Sequence, residues 1–403
     1  MKSLPLFPVT TVGSWPRSPE LLRAQSRKQR GKISSAEFEK VADEAVLETL
    51  RLQEEAGVDL VTDGEQRRDN FYSFVAEKLD GVRLMSLAEM LDIVEDKVGF
   101  ERILQTLDVP AFSIRNPTCV GKIERRAPLA LDEYRFLRQH TDRPIKVPLP
   151  GPYLLTRAMW VKEATRAVYP TKEDLAEDVV RILRQEVLEL RDAGADFVQF
   201  DEPVLTELVF TQGETRTFMC AALAARKDPE EELEFAVDLI NRVVTDLDGL
   251  RTGLHVCRGN WSQQEEVLLK GSYHPIAPYL ARLNVQQLVL EFATPRAGEL
   301  AALLGSREIA SEKELGLGVV NPRTQEIESV EAIVERVKEA LHYLPPERIF
   351  LNPDCGFGTF SNRPLNSVEA ATHKLEVLAQ AAALLRADHQ APIDSRSYEK
   401  RSL

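Results

Sequence analysis

Eight apolar, β-branched runs alternate with amphipathic helical patterns along this chain, and the alternation predicts an α/β fold, the (β/α)8 TIM barrel. The runs occupy residues 8–15, 58–65, 145–153, 195–203, 250–259, 287–293, 314–321 and 348–356. Nearly every run ends in Gly, Pro or polar residues. In a barrel these ends meet at one face, where the active sites of this fold lie. A count of eight favours the closed barrel over an open doubly wound sheet.

The stretches between the runs have the spacing of amphipathic helices. Clear examples are residues 35–57, 171–194 and 329–344. The first two end in Ala-Gly, and glycine commonly terminates helices because it adopts left-handed backbone angles without a steric penalty. We therefore expect each stretch to be the helix of a β–α unit.

Two segments depart from the β–α alternation. Residues 66–144, between the second and third strands, are too long for a simple connection. We predict that they form an inserted helix and a β-hairpin above the barrel rim, where they would be placed to act as a substrate lid. Residues 1–387 are expected to be one domain, and residues 388–403 a polar, aperiodic tail.

The composition argues against several classes of partner. The net charge is −13, and no basic block interrupts it, so neither nucleic acid nor an anionic membrane is an expected partner. The sequence shows no apolar stretch of membrane-spanning length and no signal peptide at its start. Four cysteines are too few for a disulfide scaffold in a chain of 403 residues. A reducing cytoplasmic location is therefore expected.

Metal-ligand chemistry is concentrated at three strand ends. His255 and Cys257 lie two apart in one run and so share a strand face, while Glu291 and Cys355 close two later runs. One imidazole, one carboxylate and two thiolates make a complete first shell for tetrahedral zinc. The alternative for Glu291 is an ion pair with Arg296. Cys119 and Cys220, which lack such neighbours, are expected to be small buried hydrophobic residues.

The charge of this ligand set indicates its chemistry. Zn²⁺ with two thiolates, one carboxylate and a neutral histidine carries a net negative charge, which makes the metal a poor electrophile. Such a site is better suited to holding a substrate thiol as a reactive thiolate than to ionising water. The sequence therefore predicts thiol alkylation, with no side chain assigned as a catalytic acid or base.

Several carboxylates at other strand ends have two interpretations. Asp201 and Glu202 follow an apolar run, and one of them is expected either to receive a substrate ammonium group or to cap a helix. Asp63 and Glu65 share a face and have the same two interpretations, with Arg67 or Arg68 as possible structural partners. A purely loop-holding role is the simple interpretation of Asp354.

The motifs resemble a known family. HVC at 255–257 with a downstream Glu, NPDCG at 352–356, VGSWP at 12–16 and QFDEP at 199–203 are similar to the catalytic barrel of cobalamin-independent methionine synthase, and the similarity runs from about Thr10 to about Leu385. The resemblance implies a zinc enzyme that methylates homocysteine to methionine. It implies that the zinc ligands are His255, Cys257, Glu291 and Cys355, and that the homocysteine contacts are Val12, Gly13, Ser14, Glu65 and Asp201.

The chain also departs from the family pattern. It carries only the catalytic half of the large enzymes, and the segment GVVNPRTQEIES at 318–329 lacks the histidine that serves as their catalytic acid. Their folate-binding motif is not recognisable around Arg115–Lys122. The methyl donor is therefore expected to be either methyltetrahydrofolate or a methylated corrinoid, which needs no acid for its leaving group and whose carrier protein would be a partner.

Two other functions share these residues. One is a zinc alkyltransferase that acts on another thiol, such as coenzyme M attacking an epoxide, although a sulfonate would favour basic residues where Glu65 and Asp201 stand. The other is a barrel with a structural zinc that serves as a binding or accessory subunit. A donor pocket above the metal would be walled by aromatic side chains, with Trp15, Phe71, Tyr72 and Trp160 as candidates.

Overall fold

The computed structural model describes residues 3–93, 97–98, 115–210, 228–260, 262–263, 268–358 and 365–390. Its strands are β1 (Leu79–Ser86), β2 (Arg115–Arg125), β3 (Lys146–Pro150), β4 (Phe197–Asp201), β5 (Arg251–Val256), β6 (Gln287–Glu291), β7 (Glu314–Val320) and β8 (Ile349–Pro353). Strands β3 to β8 form one parallel sheet in sequence order. Strands β1 and β2 form a separate antiparallel pair.

Two short segments close the parallel sheet into a barrel. Val9 forms a parallel bridge to Leu351 in β8, Thr10 to Leu60, and Val61 to Ile145, which directly precedes β3. Residues 9–10 and 60–61 thus occupy the first and second barrel positions. The predicted (β/α)8 barrel is confirmed.

The first two barrel segments are shorter than the predicted runs 8–15 and 58–65. Side chains replace part of the strand ladder there, because Asp59 accepts a hydrogen bond from the Val9 amide at 2.8 Å and Gln53 accepts one from the Thr62 amide at 3.0 Å. Pro8 has no amide hydrogen to give. The pattern of apolar residues identified these positions, but side-chain acceptors from neighbouring segments shorten the ladders.

Helices cover the outside of the barrel. Those in the described residues are α1 (Pro19–Gln29), α2 (Ser35–Glu55), α3 (Leu87–Ile93), α4 (Leu131–Arg138), α5 (Pro152–Met159), α6 (Lys162–Thr165), α7 (Lys172–Asp192), α8 (Val204–Phe210), α9 (Pro229–Val244), α10 (Ala277–Ala281), α11 (Ala301–Leu304), α12 (Arg307–Glu312), α13 (Val330–Ala340) and α14 (Val368–Gln390). Short 3-10 helices span Ser73–Glu77, Pro295–Ala297 and Pro346–Arg348. None of the helices in these ranges is both long and apolar enough to cross a bilayer.

The three clearest helix predictions are confirmed by α2, α7 and α13. Capping boxes begin α2 and α7, with Ser34 paired to Glu37 and Thr171 paired to Asp174. Gly194, at φ +88°, ends α7 in the left-handed conformation that its Ala-Gly terminus indicated.

The predicted insertion contains the antiparallel pair. Strands β1 and β2 pair from Leu79 with Arg125 to Ser86 with Arg115, and β2 packs against α5, α6 and α7. Residues 94–96 and 99–114 of this segment lie outside the described residues. The boundaries of the domain and its role as a lid stay predictions.

The last helix extends into the segment predicted to be a tail. Helix α14 continues to Gln390, so residues 388–390, assigned to the tail, are helical. The ring of His389 packs edge-on against Phe7 at 5.1 Å between centroids. Residues 391–403 lie outside the described part of the chain.

Candidate metal centre and substrate pocket

Three of the four predicted metal ligands converge at the rim of the barrel. His255 lies near the end of β5, Cys257 follows the same strand, and Cys355 follows β8. One ligand atom from each lies within 4.8 Å of the others, and all three residues are buried. Cys257 and Cys355 are distant in sequence but meet because both follow parallel strands of the barrel, whose carboxyl ends share one rim.

The imidazole of His255 is arranged as a metal ligand would be. Its Nδ1 lies 3.3 Å from the carbonyl of Val289 and donates to it, so Nε2 is the nitrogen left to bind a metal. Nε2 is buried and has no hydrogen-bond partner among the described residues. A buried nitrogen without a partner is costly, and a cation beside two thiols would satisfy it. The residues present therefore fit a zinc ion.

The two cysteines form a coupled thiol pair. The Cys355 thiol donates a hydrogen bond that lowers the pKa of Cys257, and the neighbouring His255 ring acts in the same direction. Burial lowers the pKa of His255, but the surrounding negative charge, chiefly that of Cys257, outweighs burial and raises it to about 9. Cys257 is thus prepared to be a thiolate, the form that binds metals.

Glu291 ends β6 but lies outside the cluster of three. Its carboxylate is bonded to the Arg296 guanidinium at 3.3 Å, to Arg258 at 3.5 Å and to the side-chain amide of Asn260. Burial opposes ionisation, but Arg296 and Arg258 outweigh it and lower the pKa of Glu291. The ion pair with Arg296, the alternative raised by the sequence, is present in this structure.

The cluster around Glu291 was missed by the sequence analysis apart from Arg296. The Arg258 guanidinium stacks on the Tyr273 ring, 3.9 Å from its centroid, and donates to the Gly271 carbonyl at 2.8 Å. The Tyr273 hydroxyl donates to Val256 and accepts from the Glu291 amide, each at 2.9 Å. Arg258 and Asn260, which come directly after the HVC motif, were the sequence feature that could have predicted this cluster.

Asp354 makes the hydrogen bonds expected of a side chain that holds its loop in place. Its Oδ1 accepts hydrogen bonds from the amides of Phe292 and Ala293, both at 2.9 Å. The end of β6 is thereby tied to the loop that carries Cys355. Burial raises the pKa of Asp354 to about 7, and the Glu291 charge adds to this.

A cavity adjoins the three ligands, and its empty space of about 400 Å³ includes a part that is open to solvent. Its lining comprises Val12, Ser14, Glu65, Phe71, Asp201, Pro203, His255, Cys257, Asn260, Cys355 and Gly356. Four of the five predicted substrate contacts line this cavity, namely Val12, Ser14, Glu65 and Asp201. The fifth, Gly13, lies against Glu65, because a Cβ at Gly13 would stand 2.5 Å from Glu65 Oε1. The absence of a side chain at Gly13 is what lets Glu65 enter the cavity.

Asp201 is held by a polar chain inside the barrel. The Gln199 amide donates to Asp201 at 2.9 Å and to the Val12 carbonyl at 2.8 Å, and buried Lys146 donates to Gln199 at 3.3 Å. Burial raises the pKa of Asp201 to about 6, although the nearby His255 opposes this. Gln199 was detectable from sequence, because it shares a strand face with Asp201 in QFDEP.

Glu65 reaches the cavity from a strained backbone. Its φ is +54°, in the left-handed region, and its amide donates to Asp63 at 3.0 Å. Burial raises the pKa of Glu65 to about 7, although Arg68 opposes this. Glu65 Oε2 has no hydrogen-bond partner within the described ranges, so this oxygen can receive a ligand.

Glu202, by contrast, is a helix cap. Its carboxylate accepts hydrogen bonds from the amides of Tyr153 and Leu154, in the first turn of α5. A Cβ at Gly151 would stand 2.1 Å from Glu202 Oε1, so Gly151 is required for this close approach. Of the two neighbouring carboxylates, Asp201 faces the cavity and Glu202 has the structural role.

The four aromatic residues proposed for a donor pocket lie in different places in the structure. Phe71 lines the cavity, whereas Trp15 packs edge-on against Phe357 at 5.7 Å and borders a different groove, next to α2. Tyr72 is buried beside Phe71, and the Trp160 indole donates to the Tyr169 carbonyl at 3.1 Å. The structure therefore places one of the four at the cavity wall.

Of the two remaining cysteines, Cys119 lies within the described residues and Cys220 does not. Cys119 is buried in β2 and donates to the Gly121 carbonyl at 3.1 Å, as a small core residue can.

Comparison with known proteins identifies the family. The sequence matches the family described as "Cobalamin-independent synthase, Catalytic domain" over residues 7–383. The chain belongs to this family. A relative named methionine synthase from Pyrococcus abyssi is 30% identical over 384 residues, which is 95% of this chain and 94% of that protein. The methionine synthase of Pyrococcus furiosus is 31% identical, over 88% of this chain and 87% of that protein.

Solved structures of this family share the fold. A B12-independent methionine synthase from Shewanella sp. W3-18-1, determined in complex with selenomethionine, superposes with a TM-score of 0.71 at 23% identity, over 96% of this chain and all of that one. A putative one from Listeria monocytogenes gives 0.68 at 21% identity, over 95% and 99%. The predictions of a TIM barrel and of an enzyme of the cobalamin-independent methionine synthase family are confirmed.

The departure from the family resemblance lies after β7. In this loop the Asn321 side chain accepts a hydrogen bond from the Arg323 amide at 3.0 Å, and Arg323 is buried. An arginine side chain does not act as a proton donor near neutral pH, because its guanidinium does not deprotonate. Neither Asn321 nor Arg323 can therefore take the place of the histidine that the resemblance leads us to expect.

Proposed function

We propose that this chain is a zinc-dependent methyltransferase that transfers a methyl group to the thiol of homocysteine and forms methionine. The observation that carries the proposal is one cavity that combines His255, Cys257 and Cys355 with the carboxylates of Glu65 and Asp201. A soft metal site beside two carboxylates fits a substrate that has a thiol at one end and an ammonium group at the other.

The proposed zinc ligands are His255, Cys257, Cys355 and Glu291. Two sulfurs and one imidazole nitrogen are a donor set that selects zinc, and Glu291 would exchange part of its contact with Arg258 and Arg296 to complete it. Zinc, when bound, would hold the homocysteine sulfur and lower its pKa so that the thiolate forms near neutral pH.

The proposed amino-group site consists of Glu65 and Asp201. Two buried carboxylates in one cavity repel each other, and a substrate ammonium group would relieve this repulsion and favour their ionised forms. The Val12, Gly13 and Ser14 segment is held by its carbonyls, for example Val12 to Gln199 at 2.8 Å and Ser14 to the Phe357 amide at 2.9 Å. Its amides would bind the substrate carboxylate.

The proposed methyl donor is a methylated corrinoid or methyltetrahydrofolate. A methyl group leaving the folate nitrogen requires a proton donor, whereas cobalt(I) leaves unprotonated. The lack of a histidine in the segment 318–329, which includes the loop after β7, therefore favours the corrinoid, carried by a partner protein, within this proposal.

Coenzyme M is not favoured as the thiol. Its sulfonate would face Glu65 and Asp201, which would repel it, and both curated relatives described above are named methionine synthase.

Methionine formation tests the proposal. Zinc-loaded protein is assayed with homocysteine and either methylcobalamin, methyltetrahydrofolate or its polyglutamate, and coenzyme M replaces homocysteine in a parallel series. We expect methionine with at least one donor and no methylated coenzyme M. Turnover of coenzyme M with none of homocysteine would refute the proposal.

A further inference from the structure

Arg17 joins three loops of the barrel rim. The side chain is 4% exposed and lies in the loop that follows the first barrel segment. Its Nη1 donates to the Gly358 carbonyl at 2.8 Å, and its Nη2 donates to the carbonyls of Glu65 at 2.8 Å and Arg68 at 2.9 Å. One guanidinium therefore fixes the loops that follow the first, second and eighth barrel positions.

These same three loops supply residues of the proposed homocysteine site. Ser14 comes from the first, Glu65 from the second and Cys355 from the eighth. The first and eighth loops are also closely packed, because a Cβ at Gly358 would stand 2.3 Å from the Trp15 carbonyl oxygen. A shift of the second or the eighth loop would change the distance between the carboxylate of Glu65 and the sulfur of Cys355.

The backbone of Glu65 depends most on this support. A glutamate in the left-handed region, at φ +54°, persists only where its surroundings hold it there. The Glu65 carbonyl accepts from the Arg17 guanidinium and from the Arg68 amide at 3.0 Å. These two hydrogen bonds hold the peptide whose orientation aims the Glu65 side chain into the cavity.

A planar guanidinium suits this position better than an ammonium group. Its donors form a rigid fork, so that Nη1 and Nη2 reach carbonyls on different loops at once, whereas a lysine offers one nitrogen. The charged groups that act on Arg17 are the carboxylates of Glu65, Asp69 and Asp63 and the opposing guanidinium of Arg68. Burial lowers the pKa of Arg17, and the three carboxylates oppose this effect.

We propose that Arg17 is a positioning residue for substrate selection, which sets the Glu65 carboxylate at the correct distance from the thiol-binding end of the site. Arg17 acts through backbone carbonyls and does not touch the reacting atoms. The inference rests on the proposed function, since it concerns the homocysteine site.

The test compares homocysteine with propanethiol, which has the thiol but neither the amino nor the carboxylate group. Binding of each to the zinc-loaded protein is measured by calorimetry for wild type and Arg17→Lys. We expect Arg17→Lys to retain its zinc and its affinity for propanethiol, and to lose about 10- to 100-fold in affinity for homocysteine. A merely structural role would weaken both thiols equally or neither.

Arg386 provides the matched control. Its guanidinium also donates to backbone carbonyls, at 2.7 Å to Leu6 and 3.2 Å to Phe7, but at the opposite end of the first barrel segment. Arg386→Lys should lower the melting temperature without changing the preference for homocysteine over propanethiol.

Each result decides between the proposals. If wild type binds propanethiol as tightly as homocysteine, the proposed function fails and the inference fails with it. If wild type prefers homocysteine and folded Arg17→Lys retains that preference within about threefold, the inference alone is wrong.

Should Arg17→Lys not fold, hydrogen exchange on wild type replaces the binding comparison. We then expect homocysteine to slow exchange in segments 13–17, 64–68 and 356–358 together, and slowing confined to 64–68 would overturn the inference.

Discussion

Glu291 shows how one buried side chain can suit two roles. It ends an apolar strand at the rim, as a metal ligand would, and it is the centre of an ion-pair cluster with Arg258 and Arg296. Two guanidinium groups around one carboxylate leave a positive charge beside the thiol pair. The cluster is therefore electrostatically suited to support the negative charge of the two thiolates in the proposed zinc site.

Loss of one thiol should remove the metal. Cys257→Ser replaces a thiolate with a hydroxyl, a poor zinc ligand, so we expect zinc affinity to fall by at least about 100-fold and methyl transfer to stop. Zinc content is measured after dialysis against a competing chelator. Cys119→Ser, at a buried cysteine in β2, serves as the control and should retain zinc. A Cys257→Ser protein with full zinc and full activity would contradict the assignment.

The ionisation of Glu65 should control binding of the amino group. Because burial raises the pKa of Glu65 to about 7, its carboxylate ionises between pH 6 and 8 in the free protein, under the influence of Arg68, Asp201, Arg17 and Asp63. Affinity for methionine, whose ammonium is protonated throughout and which has no thiol, should therefore rise over this range.

Glu65→Gln tests this assignment. We expect it to weaken methionine binding by about 10-fold or more and to remove the rise near pH 7, leaving only the step near pH 6 from Asp201. Calorimetric titrations at half-unit pH intervals measure both effects. An unchanged pH profile in Glu65→Gln would assign the ammonium site elsewhere.

At the scale of elements, Glu202 joins β4 to the start of α5. Burial raises its pKa from an ordinary value of 4.5 to about 8, against the opposing hydrogen bonds from Tyr153 and Leu154. A raised folded-state pKa means that the folded protein binds the proton more tightly than the unfolded chain does. Its contribution to stability is thus fully present below about pH 4.5 and is lost as the pH rises towards 8.

Glu202→Gln should remove that pH dependence. Glutamine keeps one oxygen for the α5 amides and carries no ionisable proton, so we expect a smaller fall in unfolding free energy between pH 5 and 8.5 than in wild type. Chemical denaturation at a series of pH values measures the difference. Parallel curves for the two proteins would show that Glu202 does not titrate in this range.

The contact between the first and eighth barrel loops leaves no room at Gly356. A Cβ there would stand 2.1 Å from Ser14 Oγ and 3.1 Å from the Ser14 amide nitrogen, so Gly356→Ala must displace Ser14. We expect weaker homocysteine binding, by about 10-fold, with zinc content unchanged. Gly121→Ala, whose Cβ would approach another atom no closer than 3.4 Å, is the control. Equal homocysteine affinity in both variants would exclude Ser14 from the site.

Across the whole molecule, period-two patterning explains most of what could be predicted from sequence. Alternation places His255 and Cys257 on one face, and the rule that parallel strand ends share a rim brings Cys355 beside them. Both inferences use only local periodicity and fold class.

Features that depend on long-range side-chain partners could not be predicted in this way. The ladder at the first two barrel positions is shortened by Asp59 and Gln53, neither of which has a sequence signature as a strand acceptor. Arg258 and Arg17 act through carbonyls in distant loops, which sequence spacing does not reveal. The choice between Asp201 and Glu202 likewise required the position of α5.

Zinc X-ray absorption of the whole protein, recorded with and without homocysteine, tests the central claim most directly. The account predicts two sulfur ligands from Cys257 and Cys355 in the zinc-loaded protein, and a third sulfur when homocysteine is added. A zinc without sulfur ligands, or a sulfur count that homocysteine leaves unchanged, would contradict it.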